Sequence, residues 1–226
     1  MKKEYKNLIM IAGGVFIGLS IIFRKPLGQA GKKIMDYFGF TKEQKYPILM
    51  NAILKGESKG YNDYNYPNRN CRGGYCSFFY GKTKTGTQTR KLTDMTIAEV
   101  MQQQAAFKLH ATGRYQIITP TLKAMVIATK INTNLKYNEE NQDKLGTALI
   151  DVKRQFVSKY LNSKIPDTAK NLTEAVLQTA QEWASVADPR KSGGLSYYAG
   201  DGTHYAAPTS VEEAKTALRQ QRAALA

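Results

Sequence analysis

After residue 95 the sequence is punctuated by helix-start signals, each followed by apolar residues at helical spacing, and this succession restricts the fold more than any other feature. Thr96-Ile97-Ala98-Glu99 is a capping box, in which a hydroxyl and a carboxylate satisfy N–H groups that a first helical turn leaves bare. It predicts a helix to about residue 109 with Val100, Met101 and Phe107 inward. Thr119-Pro120 opens a second helix with Leu122, Met125 and Val126 buried; proline in the first turn loses an N–H that has no helical partner anyway. Asn138 is the expected cap of a long helix to about residue 161, with Leu145, Leu149, Val152, Phe156 and Tyr160 at core spacing. Asn171-Leu172-Thr173-Glu174 starts another through Ala184, and Ser210-Val211-Glu212-Glu213 caps a last one rich in Ala, Arg and Gln. Upstream, residues 46–55 are apolar at Ile48, Leu49, Ala52 and Ile53 and stop at Gly56. Strand-like alternation is scarce, so the expected class is mainly α.

A chain of 226 residues can bury one good core, which favours one domain with an appendage. The appendage is the start of the chain. Residues 7–23 are uncharged and mostly apolar, between Lys2, Lys3 and Lys6 on one side and Arg24 and Lys25 on the other. As a helix this run spans about 25 Å, slightly short of a hydrocarbon core of about 30 Å. Residues 1–24 are therefore read as a membrane anchor or signal-anchor, residues 25–45 as a tether with a short helix near 32–38, and residues 46–226 as the working domain. A cleaved signal peptide, cut near Gly28-Gln29-Ala30, and a buried core helix are the alternatives. The flanking cations do not decide which side of the membrane the domain occupies.

The net charge is +15, from 33 Lys and Arg against 18 Asp and Glu. Such a balance implies a polyanionic partner: peptidoglycan stems, teichoic acid, lipopolysaccharide, anionic lipid or nucleic acid. No basic segment interleaved with aromatics forms a nucleic-acid motif, and no specific nucleic acid is expected. No phosphate-binding glycine loop is present, so no nucleotide cofactor is expected. Cys71 and Cys76 flank Arg-Gly-Gly-Tyr. In an exported domain they are a disulfide candidate, and in a reducing compartment two thiols. With two His in the chain, zinc has too few ligands, and no metal is expected.

Residues 60–93 mix Tyr61, Tyr64, Tyr66, Tyr75, Phe78, Phe79 and Tyr80 with Asn, Gly, Lys and Thr. A stretch so long and polar reads as a small lobe of β-ribbons and binding loops. Just ahead of it, Glu57 ends an apolar helix. A carboxyl half dried by a core holds its proton to higher pH and can act as a general acid. A lone Glu at a helix end is ordinarily surface decoration, but two distant stretches downstream change that reading.

Glu57-Ser58, then Gly113-Arg114-Tyr115-Gln116-Ile117 with Thr119-Pro120-Thr121, then Tyr197-Tyr198-Ala199-Gly200 resemble, in that order, the motifs of lytic transglycosylases of the lysozyme superfamily. Tyr198 here precedes Ala199 directly, where those enzymes usually place an Asn. Gly113-Arg114-Tyr115-Gln116 with Trp183-Ala184-Ser185 also resembles the phage lambda endolysin. The likeness covers roughly residues 46–205. It implies an α+β, lysozyme-like fold: a helical lobe and a small β-ribbon lobe flanking a groove for peptidoglycan glycan strands. Glu57 would be the catalytic acid at the bond between N-acetylmuramic acid and N-acetylglucosamine, with Ser58, Tyr115, Gln116 and Tyr198 binding substrate. A hydrolytic lysozyme needs a second carboxylate, for which Asp63 is the candidate. A transglycosylase does without one, because the sugar's own 6-hydroxyl attacks. A non-catalytic, membrane-tethered polyanion binder is the reading from another class. The resemblance implies a domain on the wall side of a membrane, in phage lysis, phage entry or a wall-spanning machine. Oligomeric state is not legible in the sequence.

Overall fold

The computed structural model describes residues 41–226, apart from 59, 67–68, 72–75, 81–82, 89 and 202–205, and gives the backbone alone for the rest of 65–88. The protein is mainly α. Helix α1, Pro47–Leu54, is followed by two antiparallel hairpins, β1 (Tyr64–Tyr66) with β2 (Arg69–Cys71) and β3 (Cys76–Tyr80) with β4 (Thr83–Gln88). Tyr64 pairs with Cys71, and Cys76 with Gln88. The remaining helices are α2 (Ile97–Ala105), α3 (Thr119–Thr129), α4 (Glu139–Ala148), α5 (Gln155–Leu161), α6 (Ala169–Ala180) and α7 (Val211–Leu225). Helix α1 packs on α7, α7 on α6 and α5, and α3 joins α2 to α4.

Helix α1 contributes to this core and depends on a distant partner. Tyr46 supplies no side-chain cap. Instead the N–H groups of Ile48 and Leu49 donate to Gln221 Oε1 on α7, at 2.9 and 3.4 Å. Gln221 is buried, so an orphan pair of helix-start donors and an enclosed amide satisfy each other. Leu49, Met50, Ile53 and Leu54 then fill the space inside.

Both capping boxes are formed, at Thr96 with Glu99 and at Ser210 with Glu213. Helix α2 ends short of residue 109. Gln104 is buried, and its Nε2 donates to the carbonyls of His110 and Ile117, each at 2.8 Å. That contact folds the chain back, so Phe107 takes φ 55° and is 78% exposed rather than inward.

The long helix expected over 138–161 is interrupted. Asn138 caps it as predicted, but α4 passes into a π turn, Leu149–Lys153, and the chain breaks at Arg154. Lys153 Nζ and Arg154 Nε both reach the Glu182 carboxylate at 2.8 Å, and Arg154 also donates to the Gln181 carbonyl. The wider π turn rotates the following face, which leaves Val152 40% exposed while Tyr160 and Leu161 remain buried. Helix α6 starts earlier than expected, because Thr168 rather than Asn171 supplies the cap, and it ends at Ala180. Trp183 is buried in the turn beyond it.

The folded unit also begins ahead of the boundary at 46. Thr41 N–H donates to Asp143 Oδ2 at 2.6 Å, and Thr147 Oγ1 donates to the Glu43 carbonyl at 2.8 Å. Residues 41–45, assigned to the tether, are thus bound to α4. The candidate span at 7–23 and the short helix near 32–38 lie outside the described residues. Among the described residues no helix is long and apolar enough to cross a membrane.

The α2 cap offers a direct check of this local chemistry. Thr96→Ala should lower stability by about 1 kcal/mol in urea unfolding at pH 7. Hydrogen bonds from Arg90 and from the Thr96 backbone hold the Glu99 carboxyl down at about 2. A depressed carboxylate stabilises the fold above its ordinary value of 4.5 and ceases to as pH falls toward 2. Glu99 is an exposed partner of Arg90, so Glu99→Gln should cost about 0.2–1 kcal/mol at pH 7. That difference should shrink between pH 4.5 and 2, and one that persists unchanged at pH 2 would contradict the assignment.

Candidate active site

At the end of α1 the chain turns tightly, with the N–H groups of Gly56, Glu57 and Ser58 donating to the carbonyls of Ile53, Leu54 and Leu54. The last helical carbonyls also take hydroxyls from elsewhere: Ser185 Oγ donates to Ile53 O at 3.1 Å and Thr209 Oγ1 to Ala52 O at 2.8 Å. Thr209 N–H donates to Ser185 O at 2.8 Å, so these two segments arrive together. Gly56 is where they press on the turn. A Cβ there would lie 2.8 Å from Pro208 Cγ and 2.9 Å from Ser185 Cβ. The close fit puts the Ser185 N–H on Glu57, donating to Oε1 at 2.9 Å. Glu57 is half-buried, and one of its oxygens is aimed by backbone.

The second motif reaches the same turn from another direction. Ser58 Oγ donates to the Arg114 carbonyl at 2.8 Å. Residues 112–117 form a tight reversal closed by Thr112 and Ile117, whose backbones exchange hydrogen bonds. Gly113, at φ 73°, lies so close to α4 that a Cβ would fall 2.2 Å from Gln142 Oε1. Gln116 is also left-handed, at φ 48°. Its Nε2 donates to the Gly113 carbonyl at 2.7 Å and lies 3.5 Å from the Asp63 carbonyl. The amide braces the turn.

Tyr115, expected to bind substrate, is instead an enclosed residue, 2% exposed. Its hydroxyl donates to Asp143 Oδ1 at 2.7 Å and accepts from Gln44 Nε2 at 2.6 Å. Asp143 also takes the Tyr61 hydroxyl, at 2.9 and 3.0 Å to its two oxygens. Burial pushes the Asp143 carboxyl above the usual carboxylate range, against the hydrogen bonds that favour its charge. Burial and the Asp143 charge drive the Tyr61 and Tyr115 phenols well above theirs, so both remain donors.

Tyr198 supplies the third approach. It is 38% exposed, with its hydroxyl donating to the Gln181 carbonyl at 2.7 Å and its ring edge-on to Tyr197, centroids 5.1 Å apart. Burial raises its phenol, helped by the Glu182 charge and, more weakly, by that of Glu57. Its loop is held by Lys191 Nζ, which donates to the carbonyls of Ser196 at 3.1 Å and Tyr197 at 2.7 Å.

The geometry thus joins the Glu57-Ser58 turn to Ser185 and to the Arg114 carbonyl of the reversal, while Tyr198 is anchored on Gln181 and Tyr197. Asp63 is 8% exposed, its carbonyl accepting the Gly113 N–H at 2.7 Å, so its position is an enclosed one. The side chains of Cys71 and Cys76 lie outside the described residues, as does His204; His110 is exposed. Among the described residues no group of three or more His, Cys, Asp or Glu gathers as metal ligands. The cations of α7 are engaged within the molecule: Lys215 with Glu212, Arg219 with Asp167, and Arg222 with the carbonyls of Tyr160 and Ile165.

Sequence reasoning does not single out Ser185, Gln142 or Asp143 as functional. Ser185 belongs to the Trp183-Ala184-Ser185 stretch, yet nothing in its identity announces that its backbone N–H would meet Glu57. Compared with known proteins, the chain matches no family model, no curated protein and no solved structure.

The Gly56 contact predicts its own disruption. Gly56→Ala should destabilise by about 1–3 kcal/mol, as overpacking against rigid atoms does, because Pro208 and the root of Ser185 have no flexible end to move. Thermal and urea unfolding measure it, and wild-type stability would contradict the packing.

Proposed function

We infer that the chain is a lytic transglycosylase that cleaves the β-1,4 bond between N-acetylmuramic acid and N-acetylglucosamine in bacterial peptidoglycan. One observation carries the reading. Two distant segments meet at the turn that carries one half-buried carboxyl: Ser185 N–H binds the Glu57 carboxyl across 128 positions, and the neighbouring Ser58 binds the Arg114 carbonyl across 56. Such convergence is what a general acid requires, because its proton must be aimed at one leaving oxygen.

In the proposed reaction Glu57 donates its proton to the glycosidic oxygen as the bond from that oxygen to C1 of the muramic residue breaks. Positive charge develops on the ring, and the 6-hydroxyl of the same sugar attacks C1. The new C1–O6 bond closes a 1,6-anhydro ring, and the hydroxyl proton passes to the Glu57 carboxylate, which regenerates the acid. Ser185 N–H keeps the carboxyl oriented through both transfers, and the exposed edge of Tyr198 meets the sugar. The hairpins β1–β2 and β3–β4 make the small lobe on the other side of the groove. Residues 7–23 tether the domain to a membrane facing the wall, and the surplus of positive charge draws it to the anionic stems.

Glu57→Gln is isosteric and cannot deliver the proton. It should slow release of soluble fragments from purified peptidoglycan by about 10²–10⁴-fold, the usual worth of a general acid, with an unfolding midpoint near wild type. Asp63→Asn should retain activity within a few fold. Activity of Glu57→Gln close to wild type would remove the assignment, and an inactive but folded Asp63→Asn would move the protein to the hydrolytic class.

A further inference from the structure

Two neighbouring side chains on α4, Gln142 and Asp143, are fully buried, and together they hold the stretches that flank Glu57. Gln142 Oε1 accepts the Arg114 N–H at 2.9 Å, while its Nε2 donates to the carbonyls of Tyr61 at 2.9 Å and Tyr137 at 2.7 Å. Asp143 receives the Tyr115 hydroxyl on Oδ1, the Thr41 N–H on Oδ2, and the Tyr61 hydroxyl across both. Tyr61 lies in the loop that leaves Glu57, and Arg114 offers the carbonyl that Ser58 binds. The Arg114 guanidinium closes the arrangement over the Tyr61 ring, 5.0 Å from its centroid.

Core stability alone does not call for this. The rest of the same inner face, Leu145, Gly146 and Leu149, is apolar, and replacing buried charge by packed apolar groups is often neutral or stabilising. An enclosed carboxylate persists only where donors fill its lone pairs, and each of those donors is thereby fixed in place. Here the donors fixed are the ones leading to Glu57-Ser58 and to the 113–116 turn.

We propose that Asp143 is a positioning residue for the Glu57 carboxyl, acting through Tyr61 and Tyr115, with Gln142 fixing the backbone of the same two stretches. The proposal rests on Glu57 as the catalytic acid. Its mechanical part is separable from that reading, because Ser185 N–H reports where the Glu57 carboxyl stands whether or not glycan is cut.

The test uses the full chain. Tyr61→Phe removes the hydroxyl that bridges Asp143 and keeps the ring beneath Arg114; Asp143→Asn removes the charge. The expected result for Tyr61→Phe is an unfolding midpoint within a few degrees of wild type. Its kcat on peptidoglycan should fall about 10- to 100-fold, as for a misplaced reacting group, with KM within about twofold. The Ser185 amide proton resonance should shift in the same variant, and more strongly in Asp143→Asn. Should Asp143→Asn fail to fold, Tyr61→Phe decides alone. A folded Tyr61→Phe with wild-type kcat and an unmoved Ser185 amide would overturn the proposal, as would lost stability with kcat unchanged. If the wild-type chain cuts no glycan, the catalytic reading falls, and the Ser185 resonance still decides the positioning: shifted supports it, unshifted overturns it.

Discussion

The close approach of the Gly56 backbone to Ser185 and Pro208 is the contact on which the rest of the site depends. A helix end ordinarily leaves carbonyls in need of donors, and α1 receives them from Ser185 and Thr209. A Cβ at residue 56 would press on Ser185 itself and on Pro208, which precedes Thr209. The same approach delivers the Ser185 N–H to Glu57. One steric allowance therefore closes a helix, docks the chain near residues 185 and 209, and orients the carboxyl on which the functional proposal is built.

Behind this contact lies a second constraint, the polar start of the inner face of α4. Gln142 and Asp143 exchange hydrogen bonds with segments on both sides of Glu57 and with residue 41. Because buried polar groups tolerate few alternative arrangements, this region specifies a geometry where an apolar face would only supply adhesion. The Tyr198 loop is organised likewise by a single cation, Lys191, capping several of its carbonyls. Elements that surround Glu57 are thus held by polar contacts, and the hydrophobic core beneath holds the helices.

How legible each feature is in the sequence depends on how local its signal is. The capping boxes at Thr96 and Ser210 and the proline start of α3 involve residues a turn apart, and the structure forms all three. The break at Arg154 is hidden, because the Glu182 carboxylate that meets Lys153 and Arg154 there lies far along the chain, while the apolar spacing runs on through the π turn. Periodicity places Phe107 inward, and Gln104 overrides it by reaching forward to Ile117. The motif makes Tyr115 a groove residue, but its side chain is enclosed against the Asp143 cluster. Glu57 and Tyr198 are legible as members of motifs, but the backbone N–H that links Glu57 to Ser185 carries no side-chain signature. Gln142 and Asp143 leave one trace: with Leu145, Gly146 and Leu149 they continue the buried face of α4, so polar residues stand where an apolar stripe is due.

Attack by the sugar's own 6-hydroxyl leaves a covalent signature in the product. The full chain incubated with purified peptidoglycan, followed by mass spectrometry of the soluble fragments, should yield chains ending in 1,6-anhydro-N-acetylmuramic acid, each one water lighter than a reducing end. Fragments carrying only reducing ends, or no soluble fragments at all, would contradict the account.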